Sequence, residues 1–202
     1  MGRPSNTAER RAQIVHALAR VMVQKGYGGA TIAAIAAEAK LAPGLVHYHF
    51  TSKRAVLVAL VEQLSATVAA RYEARRAHAG SDARLALHAM IDAYLELGPG
   101  ADTAAVGAWG AIGAEALRDA EVRRLYRRSL ALTLHELRRL MRAARRAAGH
   151  ASRGGAAAAA AILVAIEGAL HIGSLAPGVL PRGASAPMTR RLADSLIDTP
   201  VL

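Results

Sequence analysis

Residues Thr31 to Lys53 read TIAAIAAEAKLAPGLVHYHFTSK, and this stretch most narrows what the chain can fold into. Ile32, Ile35, Ala36 and Ala39 recur at helical spacing, so a first short helix buries that face. Thr31 precedes the first apolar residue and suits its N-cap. Ala36 and Ala37 are small enough for a second helix to approach closely. Lys40-Leu41-Ala42 forms the break, with Leu41 as the one large apolar residue to plug the gap between helices. Pro43 fits the first position of the next helix, where its missing N–H would have no partner anyway. Gly44 keeps that N-terminus slim. Val46 and Phe50, four apart, should face the core, leaving Leu45, Tyr48 and His49 outward.

Two short helices across a tight turn, the second with an exposed outer face, is the plan of a helix-turn-helix: one helix braces and the other enters the major groove of DNA. A slim helix N-terminus also attracts phosphate. At these residues the segment resembles the DNA-binding domain of the TetR (tetracycline repressor) family of bacterial transcriptional regulators. Thr31, Ile35-Ala36, Ala39, Gly44, Tyr48-His49-Phe50, Ser52-Lys53 and Leu57 match the family pattern. Lys40 stands where the family has Gly, Ala42 where it has Ser, and His47 where it has Tyr. Lys40 must therefore tolerate the turn conformation, costly if its φ is positive. Ala42 lacks the side-chain oxygen of an N-cap, worth about 1 kcal/mol.

Charge follows the same segment. The 202-residue chain carries a net charge of +11 and no cysteine, which leaves no disulfide framework or thiolate metal site. Residues 1–54 hold eight basic and two acidic side chains, a net +6, so the positive charge is denser around the helix-turn-helix than in the remaining 148 residues, as phosphate binding requires. Hydrophobic residues make up 53% and aromatics only 3%; the abundant Ala favours close-packed helices over sheets, and no alternating strand run stands out. The N-terminus is polar and basic, without the apolar core of a signal peptide. The Ala156–Ile166 run comes closest to a membrane span but is interrupted by Glu167, Gly168 and His171. A cytoplasmic location is expected.

Along the chain, helical patterns run from Asn6 to Lys25 (ended by Gly26), through the two short helices, from Ser52 to about His78, from Asp82 to about Leu97, and from Thr103 to about Leu117. A long pattern from Asp119 to Ala148 carries nine arginines, expected on a solvated face. Ala156 to about Leu175 is apolar nearly all round and is expected to be buried nearly all round. A last helix, Ser185 to about Ile197, has Met188, Leu192 and Leu196 on one face. The fold class is thus all-α with about nine helices. The resemblance implies a helix-turn-helix DNA-binding domain over 1–51 and a helical ligand-binding and dimerisation domain over 52–202.

The candidate DNA contacts are Arg3, Thr31, Pro43, Gly44, Leu45, His47, Tyr48, His49 and Lys53. Leu45 and Tyr48 suit base edges and thymine methyls, and Arg3 suits a minor-groove arm. Phosphate contacts by Thr31, His47 and Lys53 are what the resemblance implies. So is a ligand pocket, for which the polar or aromatic residues on apolar faces are candidates: Tyr94, Trp109, Glu115, His135, Glu167 and His171. Glu167 in its apolar helix needs a partner: His171 one turn on, an arginine, or a cationic ligand. Two such ligands without a third do not make a metal site. No catalytic grouping or phosphate loop points to an enzyme, and no cofactor is implied. The expected function is a homodimeric repressor, paired through the last two helices and released from a near-palindromic operator in double-stranded DNA by a small-molecule effector. A DNA-binding regulator without an effector and a non-specific architectural DNA binder are the alternatives.

Overall fold

The computed structural model describes residues 6–96, 103–150 and 154–199, with the side chains of Asn6 and Thr103 outside that description. Arg3 lies outside the described residues. The described residues form nine helices and no strand: Asn6–Gly29 (α1), Ile32–Glu38 (α2), Pro43–His49 (α3), Lys53–Arg76 (α4), Ala83–Leu95 (α5), Thr103–Glu115 (α6), Ala120–Ala147 (α7), Gly155–Leu175 (α8) and Ser185–Asp198 (α9).

The chain packs as two units. The first comprises residues 1–65 and 102–127, the second residues 66–101 and 128–202. Packing therefore does not follow chain order: α6 and the start of α7 belong with the N-terminal helices. The core of the first unit gathers Ile14, Leu18 and Met22 of α1, Ile35 of α2, Val46 of α3, Leu57 of α4 and Ile112 of α6. α6 approaches α1 closely at Gly107, where an added Cβ would lie 2.9 Å from Val23 Cγ2. Trp109 of α6 packs on Tyr126 of α7 at 4.9 Å between ring centroids, against this same core.

In the second unit Leu87 and Ile91 of α5, Leu137 and Met141 of α7, Ile162 and Ile166 of α8, and Ala193 and Ile197 of α9 form the core. One expectation changes here. α8 is not buried all round: Ala158, Ala159, Ile162 and Ile166 face inward, but Val164 is 70% and Leu175 77% exposed. On α9 the inward face is the small one (Ala186, Thr189, Ala193, with Ile197), while Met188 and Leu192 point out. A helix packed on one side only can keep its apolar residues at other angles for a second surface. By length and apolarity alone α4 and α8 could each cross a bilayer; both supply core residues to the helical units instead.

The expectation of a solvated arginine face on α7 also needs correction at one position. Arg145 is 2% exposed, and its Nη1 donates to the carbonyl oxygens of Leu196, Ile197 and Thr199 at 2.5, 3.4 and 3.2 Å. It satisfies the last carbonyls of α9, which have no partners within the helix. α5 and α9 are further joined by ion pairs: Arg190 to Asp92 and Glu96 at 2.5 and 2.9 Å, and Arg84 to Asp194 at 3.0 Å and to Asp198.

Candidate nucleic-acid interface

α2 begins where the Thr31 Oγ1 accepts a hydrogen bond from the Ala34 N–H at 3.1 Å, which leaves the hydroxyl proton free to donate outward. The helix ends in a Schellman turn. The Leu41 N–H donates to the Ala36 carbonyl at 2.9 Å and the Lys40 N–H to the Ala37 carbonyl at 3.0 Å. Lys40 takes the left-handed conformation that such a turn demands, with φ 55°, the one positive φ among the described non-glycine residues. Leu41 packs partly buried against the core, as its place in the turn suggests. α3 then starts with Pro43 in its first turn and no side-chain cap from Ala42.

Val46 and Phe50 are buried and fix the rotation of α3. Leu45 is consequently 42% and Tyr48 78% exposed. Tyr48 meets the His49 ring edge-on at 5.0 Å. Thr31, Pro43, Gly44 and His47 are exposed, and His49 is half-buried. A Cβ at Gly44 would meet nothing within 4 Å, so the entrance to α3 is open. The two-turn helix thus presents an apolar residue, a phenol and an imidazole on one side, a surface of the kind that reads base edges.

Lys53 is placed differently from a freely extended phosphate ligand. Its Nζ donates to the Tyr27 carbonyl at 2.8 Å and lies 4.2 Å from the centre of the Tyr27 ring. The contact ties the start of α4 to the chain after Gly26, whose φ of 67° breaks α1 where a glycine stop is expected. Burial, then the field of Asp119, raises the Tyr27 phenol above its ordinary pKa, so it stays neutral there. Ser52 Oγ caps α4 by accepting from the Ala55 N–H at 3.1 Å.

α1 holds both short helices by side chains that the motif does not advertise. Arg11 Nη1 donates to the His49 carbonyl at 2.6 Å, and its guanidinium lies 4.1 Å above the Phe50 ring. Gln13 Nε2 donates to the Ala39 carbonyl at 2.6 Å, while Arg10 donates to Gln13 Oε1 at 2.8 Å. Arg20 pairs with Glu38 at 2.5 Å. These residues occur at no motif spacing; the only trace in the sequence is a run of long polar side chains on the flank of an amphipathic helix.

The six ligand candidates are divided between the two units. Trp109 and Glu115 lie in the first unit, the other four in the second. Tyr94 Oη is 2.8 Å from Thr133 Oγ1, which in turn donates to the Ser129 carbonyl at 3.1 Å. Burial raises the Tyr94 phenol above its ordinary pKa, against the hydrogen bond it shares with Thr133, and the nearby charge of Glu167 adds to the rise. His171 Nδ1 meets the Glu167 carbonyl at 2.9 Å, so that nitrogen carries the proton, and lies 4.0 Å from Glu167 Oε2. Tyr94 thus pairs with Thr133 and Glu167 with His171, and Glu167 is near enough to act on the Tyr94 phenol, whereas His135 is exposed. Among the described residues no group of three His, Asp or Glu side chains is arranged to hold a metal ion.

Comparison with known proteins agrees with this architecture. Residues 14–60 match the family model for bacterial regulatory proteins of the tetR family, and residues 83–198 match that for the C-terminal part of BetI-type transcriptional repressors. The chain is 30% identical over 193 residues to the HTH-type transcriptional regulator BetI of Stenotrophomonas maltophilia, covering 94% of this chain and 91% of that one. It is 31% identical over 120 residues to BetI of Paraburkholderia phytofirmans, where it spans 57% of this chain and 59% of the relative's length. A structure from Rhodococcus sp. described as a TetR-family transcriptional regulator superimposes with a TM-score of 0.77 at 22% identity, covering 94% of this chain and 99% of that chain. A transcriptional regulator from Saccharomonospora viridis, solved in complex with choline, gives 0.73 at 23% identity, covering 95% and 96%. At such identities the structures speak for the fold alone. These relatives are regulators rather than enzymes. With more than half of its length matched by the C-terminal model, and its helix-turn-helix by the N-terminal one, the chain belongs to the TetR family of bacterial transcriptional regulators, with a C-terminal region of the BetI type.

Proposed function

We propose that this regulator is a cytoplasmic homodimeric repressor that reads a near-palindromic operator through α3 and is released by a small-molecule effector. Residues 1–51 serve DNA binding in this reading, and residues 52–202 serve effector binding and dimerisation. The observation that carries the proposal is the fixed presentation of Leu45 and Tyr48 by the buried Val46 and Phe50. Thr31, Pro43, Gly44, His47 and His49 surround that face. Lys53, already bonded to Tyr27, keeps further ammonium N–H donors for a phosphate. Tyr48→Ala removes a surface side chain and should abolish operator preference while leaving the dimer intact. Retained preference in a mobility-shift assay would sink the groove assignment.

The second copy belongs on the outer faces of α8 and α9. Val164, Ile172 and Leu175, with Met188 and Leu192, are exposed apolar residues at helical spacing, a patch large for a monomer to leave in water. Ala157, Ala161 and Gly168 on the same side of α8 allow close crossing. A two-fold pair would set two recognition helices about 34–36 Å apart, hence the palindrome. Val164→Arg should give monomers by light scattering and lose operator binding; a dimer surviving unchanged would remove α8 from the interface.

The effector we infer is a small organic cation. Glu167 supplies a carboxylate within an apolar helix, and Tyr94 an aromatic ring near it, the two elements that hold an ammonium away from water. That a protein of the same fold binds choline supports this class of ligand. Choline titrated calorimetrically into the wild type and into Glu167→Gln should bind the first more tightly; equal affinities would remove Glu167 from the site.

A further inference from the structure

α3 has only seven residues, too short to hold its own shape in water. Its start has Pro43 but no side-chain cap, and its end has no glycine turn: Phe50 is extended, with φ −140° and ψ 127°. α2 closes with a complete Schellman turn, so the two short helices differ at the C-terminus. At the end of α3 the orphaned carbonyl of His49 is taken by Arg11, whose charge also complements the negative end of the helix. The same guanidinium sits 4.1 Å from the centre of the Phe50 ring, the buried anchor that sets the rotation of α3. Tyr48 precedes that carbonyl directly and rests against the His49 ring.

From this geometry we infer that Arg11 is a positioning residue for DNA recognition: it fixes the C-terminal turn of α3, and with it the direction of Tyr48, without touching a base. The inference rests on α3 being the helix that reads DNA. It separates Arg11 from the other exposed cations of the head, whose expected effect on DNA is through charge. A residue that only neutralises phosphate weakens binding to all sequences alike and contributes about 0.9 to the salt slope. A residue that aims the reading helix weakens the preferred sequence alone and leaves that slope unchanged.

The experiment is fluorescence anisotropy with the full-length protein, wild type, Arg11→Met, Arg11→Lys and Tyr48→Ala. Each is titrated with a duplex enriched by wild-type protein from a randomised pool and with a scrambled duplex, from about 50 to about 200 mM salt. Arg11→Met should lose about tenfold or more on the enriched duplex, the scale of a lost hydrogen bond to a charged donor, with the scrambled duplex and the salt slope unchanged. Arg11→Lys keeps the charge but not the guanidinium that both bonds the His49 carbonyl and covers Phe50, and should restore the loss only in part. An equal loss on both duplexes with a shallower slope, a complete rescue by Lys, or no loss at all would overturn the inference. If circular dichroism shows Arg11→Met unfolded, Arg11→Lys decides by the same criteria. Enriched-duplex preference surviving in Tyr48→Ala would instead refute the assignment of α3. Its loss there with no effect in the Arg11 variants would refute only the role of Arg11.

Discussion

Lys40→Gly should make this protein more stable, although it removes a side chain and a charge. Lys40 sits at φ 55° because the Schellman turn that ends α2 needs a left-handed residue there. An L-residue in that conformation costs about 1–2 kcal/mol through the clash of its Cβ with the following carbonyl. Glycine escapes that cost but gives back about 0.4–1 kcal/mol because its unfolded chain is freer. The balance is a gain of about 0.5–1 kcal/mol, or about 1–4 °C in melting temperature for a chain of this length. Lys40→Ala is the control, since it removes the same charge but keeps the Cβ at the same φ. Thermal unfolding followed by circular dichroism should place Gly above both Ala and the wild type. If Gly and Ala melt together, or Gly melts lower, the backbone at Lys40 is not strained in solution.

Other perturbations test the packing of each unit. Arg145→Met keeps the volume but strips the Leu196, Ile197 and Thr199 carbonyls of this donor, and should cost about 2–3 kcal/mol by urea denaturation. Gly107→Ala drives a Cβ to 2.9 Å from Val23 Cγ2 and should cost about 1–3 kcal/mol, with Val23→Ala recovering part of the loss in a double-mutant cycle. Glu136 is held below the usual carboxylate range by the two-point hydrogen bond from Arg139. Because its folded value is the lower one, that contribution is complete above the unfolded value and fades as pH falls through the folded one. Arg139→Gln should therefore flatten the acid side of the stability–pH profile while leaving its alkaline side unchanged.

Much of this architecture was legible from periodicity and punctuation. Thr31, Ser52 and Asp82 cap helices where their side-chain oxygens suggest, and Gly26 and the Lys40 turn stop them. These are local effects, written in a few adjacent residues. The buried anchors of α3, Val46 and Phe50, follow from i, i+4 spacing for the same reason. What periodicity leaves out is which surface an apolar face meets. α8 reads as apolar all round, but one side is core and the other is exposed in the single chain; on α9 the small residues, not Met188 and Leu192, turn inward. Nor does composition separate Arg145 from the eight other arginines in its segment. Its burial depends on the end of α9, fifty residues away in sequence. Trp109 suits a pocket by rarity and polarity, yet packs on Tyr126 against the core shared with α1, because α6 folds onto the N-terminal helices. Long-range pairing of this kind has no signature in one sequence.

On the proposed function, two copies of α3 read an inverted repeat. Selecting bound duplexes from a randomised DNA pool at physiological salt, then sequencing them, tests it most directly. One inverted repeat should be enriched, with half-site centres about one helical turn, or about 34–36 Å, apart, and Tyr48→Ala should lose that enrichment. A pool that stays random while the protein retains DNA binding would contradict it, and would mark the chain as a binder of phosphate charge alone.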